Sequence, residues 1–451
     1  MQNKRNLTEG NVIKVLLAFA LPFMISNLLQ SLYGAVDLWV VGKYASSESV
    51  AAVSTGTQVT QIITSLISGL TLGGTVLIGN CIGAGDEKKA KKVIGTTFTG
   101  FFYVSLALTF LMLIFVKPIL RALNTPSESF EKTVVYVSLC ALGNVFICGY
   151  NSVSAVLRGC GDSKSPMKFI ALSCFLNVCL DFIFVRFFAL DVAGTALATV
   201  ISQGFSMFAS VLYLKKNNFL FDFKKESFKA DISIAKKLCK IGIPVSFQEV
   251  LVRLSFLYIA GVMNNCGLYS AAIVGIGSKY DVFAMLGANS MAEALTAFTA
   301  QNMGAGKLDR AKKSLWTGIS CAFAFSSVFF LWAQVSPETM IGVFSKDINV
   351  INAGIPYFRT ASFDYLAVSF VFCLNGYLNG REKTIWTMVS TTFSAVVLRI
   401  PLTYFTEPYL NGDLGRVGMI APFVTVITAV YTLIYVIMEN KKDAKRKVSV
   451  L

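Results

Sequence analysis

Of the 451 residues, 55% are hydrophobic and only 14% are charged, with a mean hydropathy of +0.63, whereas soluble domains average roughly 25% charged. This excludes a soluble globular chain and points to an all-α polytopic membrane protein. The net charge of +15 would suggest nucleic acid in a soluble protein; in a chain this apolar it has to be explained by where the charges lie.

In chain order, about twelve apolar runs long enough to cross a bilayer are separated by short polar breaks, at 13–41, 55–80, 94–116, 133–157, 168–188, 193–214, 241–263, 272–300, 315–335, 354–378, 385–405 and 417–438. With the N-terminus inside, about 29 of the 40 Lys and Arg fall on cytoplasmic segments and roughly eight on outer loops, the bias that orients membrane helices. The inner clusters are Lys4 with Arg5, Lys88, Lys89, Lys91 and Lys92, the 215–240 connection, Lys307, Arg310, Lys312 and Lys313, and the tail from Lys441 to Lys447. Both termini are therefore expected on the cytoplasmic side of the cell membrane, with lipid as a partner and nucleic acid not one. The first run is too long for a cleaved signal and reads as a signal anchor. Ten cysteines are scattered without a CxxC and read as reduced thiols that pack as small apolar residues.

The first run carries Pro22, which leaves one carbonyl without its helical donor and bends the helix, and then Asn27, Gln30 and Asp37 at membrane depth. The fifth run, within ALSCFLNVCLDFIFVRFFAL at 171–190, places Asn177 and Asp181 one turn apart on one face. An ionised acid inside a bilayer is costly unless it faces a partner or a water-filled cavity, so Asp181 reads as an ion or proton site. Both helices run outward, which puts Asp37 at similar depth. Two carboxylates sharing one apolar cavity cannot both stay ionised cheaply, and one should take up a proton near physiological pH. Histidine is absent, so proton chemistry has to use carboxylates. Alternatively, Asp37, Asp181 and Asn177, with hydroxyls such as Thr199 or Ser202, form an oxygen cage for Na⁺.

The 215–240 connection divides the chain into an N-terminal six-helix bundle at 1–214, a basic cytoplasmic linker, and a C-terminal six-helix bundle with a basic tail at 241–451. The halves echo each other at an offset of about 221 residues: Gly83-Ala84-Gly85 recurs as Gly304-Ala305-Gly306, Arg158-Gly159 as Asn379-Gly380, and the surroundings of Pro22 as those of Pro244. An even number of helices per repeat relates the bundles by an axis along the membrane normal. Each Gly-Ala-Gly ends a helix, where glycine suits a left-handed cap.

Glu249 and Arg253 stand one turn apart in the seventh run and can neutralise each other; Lys279 and Asp281 lie in the eighth run and Asp364 mid-helix in the tenth. Arg399 occupies the repeat position of Asn177, and either Arg399 or Lys279 can pair with Asp281 or Asp364, since buried charges need compensation. Glu249, Asp281 and Asp364 are second-rank ion or substrate candidates.

The order of these motifs resembles that of the multidrug and toxic compound extrusion (MATE) family over essentially the whole chain: two halves of six helices, paired Gly-Ala-Gly turns, Pro22 and Asp37 in the first helix, RGxGD at 158–162 and NxxxD at 177–181. The resemblance implies that Asp37, Asn177 and Asp181 form a coupling site where H⁺ or Na⁺ binding alternates with drug binding, and that the helix carrying Pro22 changes its bend. It makes the chain a transporter rather than an enzyme, without a cofactor. The expected activity is secondary active efflux of amphipathic, often cationic drugs by alternating access, with some of the 37 Phe and 13 Met lining an adaptable cavity and the protein acting as a monomer. A flippase for lipid-linked saccharides is the alternative, kept open by Arg253, Lys279 and Arg399.

Overall fold

A computed structural model describes residues 6–217, 219–265, 268–406 and 414–450; Lys4 and Arg5 of the basic N-terminus lie outside the described residues. Its elements, in order, are α1 (Val12–Tyr44), α2 (Ser47–Gly83), α3 (Glu87–Ala122), α4 (Ser127–Leu142), α5 (Asn144–Gly159), α6 (Lys164–Asp181) continuing as a π-helical stretch (Phe182–Phe187), α7 (Asp191–Lys216), a short 3₁₀ turn (Lys225–Phe228), α8 (Ile232–Asn265), α9 (Leu268–Ala284), α10 (Leu286–Gly304), α11 (Leu308–Val335), α12 (Pro337–Gly342), α13 (Ile348–Ala361), α14 (Phe363–Gly380), α15 (Thr384–Thr392) continuing as a second π-helical stretch (Phe393–Arg399), α16 (Ile400–Thr406) and α17 (Leu414–Val450). Every apolar run of the sequence is helical, and no strand occurs among the described residues. Among the described residues, nine helical segments are long and apolar enough to cross a membrane, and two bent pairs pass the same test jointly: α4 with α5 at 44° and α9 with α10 at 41°. The chain is an all-α polytopic membrane protein, and large apolar side chains such as Phe102, Phe110 and Ile114 stand exposed along α3 where lipid would cover them.

Three runs expected as continuous helices are therefore interrupted, since the tenth also divides, into α13 and α14 at Ser362. Hydropathy alone does not register a bend inside an apolar run, because the freed backbone groups are satisfied locally by neighbouring polar side chains. At Ser362 the side chain of Gln334 supplies this, donating to the Arg359 carbonyl at 2.7 Å and to the Ser362 hydroxyl at 2.9 Å.

The repeat is visible in the helix ends. After α2 the Asp86 amide donates back to the Cys81 carbonyl at 3.0 Å, and after α10 the Lys307 amide donates to the Asn302 carbonyl at 2.8 Å. Both turns close on a glycine in the left-handed region, Gly85 at φ +72° and Gly306 at φ +70°, so the Gly-Ala-Gly elements are Schellman caps. The ends of α5 and α14 match in the same way, with Asp162 bonded to Leu157 and Lys383 to Leu378. There, however, Gly161 at φ 85° is answered by a non-glycine, Glu382 at φ 61°.

By internal packing the chain forms two compact units: Met1–Thr8, Leu21–Ser246 and Gly304–Gly306 in the first, and Glu9–Ala20, Phe247–Met303 and Lys307–Leu451 in the second. In unit 1, α2 packs against α4 and α5, and α7 against α6 and α4, around a core that includes Val53, Ile63, Phe101, Tyr136, Val137 and Ala196. The start of α8 belongs to this unit and crosses α2 tightly. A Cβ on Gly69 would meet the Ser246 amide at 2.3 Å, a close approach of the kind small residues permit in membranes. The 215–240 connection is more than a tether. Phe221, Phe223 and Phe228 pack on Phe98 of α3, with ring centroids at 5.5, 6.2 and 6.2 Å, and Thr99 donates to the Phe228 carbonyl at 2.7 Å. In unit 2, α17 packs along α13 and α14, and α11 on α14, with Ile273, Tyr280, Met340 and Phe358 in the core.

Candidate functional site

The three first-rank residues meet inside unit 1. Asp37 lies on α1 about four turns beyond Pro22, and Asn177 and Asp181 lie on one face of α6, Asp181 being its last residue before the π-helical stretch. Asp37 is 3% exposed and the other two 0%. Donor–acceptor matching turns the Asn177 amide nitrogen toward both acids, at 3.0 Å from Asp37 Oδ1 and 3.3 Å from Asp181 Oδ2. The two carboxyl groups are themselves within hydrogen-bonding reach of one another. A hydrogen bond to a charged acceptor is worth about 1.5–3 kcal/mol, so Asn177 is what makes this close pairing affordable in an apolar bundle.

Other helices of unit 1 complete the site with hydroxyls. Tyr33, one turn before Asp37, directs its phenol toward Asp37 and Thr199; Tyr136 of α4 faces Asp37 as well and shares a hydrogen bond of 3.3 Å with Thr57 of α2. Asp181 Oδ1 is buried without a hydrogen-bond partner, an acceptor left open in a packed interior. Ser202, a candidate hydroxyl by sequence, is spent on its own helix, donating to the Thr199 carbonyl at 2.9 Å. The sequence reading missed Tyr33 and Tyr136. The i, i+4 spacing of Tyr33 and Asp37 was a usable signal, whereas nothing local ties Tyr136 to the acids. It also missed the π-helical stretch, a form that recurs at functional sites and here re-aims the helix directly after Asp181.

Pro22 sits inside α1, with the Ser26 hydroxyl donating to its carbonyl at 2.8 Å. The next residue, Phe23, lies under the Arg158 guanidinium at 4.5 Å, which ties the RGxGD turn to the proline end of α1.

The second-rank acids lie in unit 2, in two places. Glu249 on α8 is half-buried and faces Arg253 of its own helix and Glu293 of α10. Asp281 of α9 and Asp364 of α14 come together near Arg399, with the hydroxyls of Tyr357, Tyr365 and Thr425 around them. Asp364, expected mid-helix, stands in the first turn of α14 because the run divides at Ser362; an acid there is favoured by the helix dipole. Lys279 does not join this cluster. It is exposed, with its ammonium over the Phe344 ring at 4.8 Å.

The MatE family pattern matches residues 22–183 and again residues 244–405, the two repeats in register. The chain is similar to a protein of Bacillus subtilis named "Probable multidrug resistance protein YoeA", with 25% identity over 444 residues covering 96% of each. It is also similar to a Shewanella oneidensis protein named "FAD transporter", with 24% identity over 422 residues covering 92% of each. Its fold superposes on a solved structure described as "MATE in the bent conformation", with a TM-score of 0.92 and 21% identity, covering 100% of both chains.

Proposed function

The chain belongs to the MatE family and is a membrane transporter rather than an enzyme; on that premise we propose that it exports amphipathic, often cationic drugs in exchange for protons through the site at Asp37, Asn177 and Asp181. The observation that carries this reading is the buried acid pair bridged by a donor. Two carboxyl groups within hydrogen-bonding distance and nearly sealed from solvent hold a proton between them at least cost, and a second proton or a cationic drug settles the remaining charge. Drug and proton then compete for one negative charge, which is the differential affinity an exchanger needs.

Drug export is supported over the flippase reading by the likeness to the Bacillus subtilis protein named for multidrug resistance, and neither named relative is a flippase. The remaining parts of the proposal are alternating access with a change of bend at Pro22, a monomer in the cell membrane, cytoplasmic termini, and 1–214 and 241–451 as its two repeats. In this reading Glu249, Asp281 and Asp364 do not carry the coupling ion.

The test is ethidium transport in proteoliposomes energised separately by a pH gradient and by a Na⁺ gradient. Transport is expected under the pH gradient alone and is lost in Asp37→Asn and in Asp181→Asn. Undiminished pH-driven transport in both variants, or transport driven by Na⁺ alone, would overturn the assignment.

A further inference from the structure

Residue 399 stands one repeat after residue 177, and there the chemistry inverts. Where unit 1 sets a neutral amide beside two acids, unit 2 sets the Arg399 guanidinium near two acids, Asp364 and Asp281. Arg399 is 8% exposed and Asp364 5%. Nε of Arg399 and Oδ1 of Asp364 are each buried without a hydrogen-bond partner, so each keeps polar capacity that the other does not use. The guanidinium is seated on the Phe256 ring at 4.8 Å and ends the second π-helical stretch, as Asp181 precedes the first. A guanidinium cannot be deprotonated in a protein, so this positive charge is permanent.

We propose that Arg399 is a cation built into the chain, filling in unit 2 the place that unit 1 leaves to an exchangeable ion, and that it thereby limits coupling to one acid site. Without the guanidinium, the Asp281–Asp364 pair becomes a site for a small monovalent cation, a proton or Na⁺, with the Tyr365 and Thr425 hydroxyls beside it. The comparison with unit 1 rests on the proposed function; the gain expected on removing Arg399 concerns Asp281 and Asp364 alone and is read within each background.

The experiment compares two parents, the unaltered protein and the Asp37→Asn/Asp181→Asn double variant, each with and without Arg399→Gln. Purified protein is assayed for protons taken up from weak buffer and for bound radioactive sodium. Arg399→Gln gains one cation equivalent over its own parent in both backgrounds; the gain disappears when Asp364→Asn is added and is not seen with Arg399→Lys. Protons and sodium are read in separate arms, so the arm that moves identifies the ion. No gain in either background, with monodisperse protein, overturns the proposal. Equal binding by the two parents overturns the reading of Asp37 and Asp181 and leaves this one standing on its own gain. Should Arg399→Gln fail to fold, the Arg399→Gln/Asp364→Asn variant, with both charges gone, recovers the folded protein; failure of both to the same degree overturns the compensation on which the proposal stands.

Discussion

The two units begin from one repeat and spend their polar residues differently. Unit 1 gathers Asp37 and Asp181 around the neutral amide of Asn177 and leaves Asp181 Oδ1 without a hydrogen-bond partner. Unit 2 gathers Asp281 and Asp364 around Arg399, whose charge is already in place. In the proposed account a single position, amide in one repeat and guanidinium in the other, separates a site that exchanges its cation from one that carries its own. Buried acids in both repeats are then weak evidence of two equivalent ion sites; the charge of the group beside them decides.

The sharpest way to break this comparison is to give unit 1 the residue of unit 2. Asn177→Arg should abolish pH-driven efflux, by more than about tenfold, since it forfeits hydrogen bonds worth about 1.5–3 kcal/mol each and fixes a permanent cation between Asp37 and Asp181. Efflux above a third of the unaltered rate would show that the pair does not exchange its ion. Next in size is the helix crossing in unit 1. Gly69→Val drives carbon into the Ser246 backbone, and overpacking of this kind costs about 1–3 kcal/mol, read as a lower melting temperature in detergent. The same unit supplies a control for unit 2: Glu382 occupies the left-handed turn that Gly161 occupies in the first repeat, and Glu382→Gly should stabilise by about 1 kcal/mol. A melting temperature unchanged or lowered would show that contacts of Glu382 outweigh its backbone strain.

The smallest effect concerns the linker. Asp231 accepts from the Ser233 hydroxyl at 2.7 Å and from the amides of Ser233 and Ile234 at 2.8 and 3.2 Å, and these bonds, the hydroxyl first, hold its carboxyl below the usual range. A depressed acid contributes stability above its unfolded value of about 3.9 and loses it as pH falls through the folded value. Hydrogen exchange in the first turn of α8 should therefore accelerate on acidification below about pH 4, and Asp231→Asn should remove most of that pH dependence.

Much of this was legible in the sequence because membranes enforce simple rules. Apolar length identified the helices, and the rarity of acids at depth picked out Asp37 and Asp181. The helix period alone put Asn177 beside Asp181. The bends at Gly143, Met285 and Ser362 were not legible, since a helix can break inside an apolar run whenever a side chain such as Gln334 repairs the backbone. Tyr136 belongs to the site only through tertiary packing, and the aromatic docking of the linker on Phe98 is equally non-local. The basic composition of the linker gave no sign of this docking, which three of its phenylalanines make.

The central claim is that drug displaces the second proton of the Asp37–Asp181 pair, the one that settles its remaining negative charge. Its most direct test is proton release from purified protein in weak buffer on addition of ethidium, for the unaltered chain beside Asp37→Asn and Asp181→Asn. The account predicts stoichiometric release from the unaltered protein and none from either variant. Release of the same size from both variants would place the exchanged proton elsewhere and contradict it.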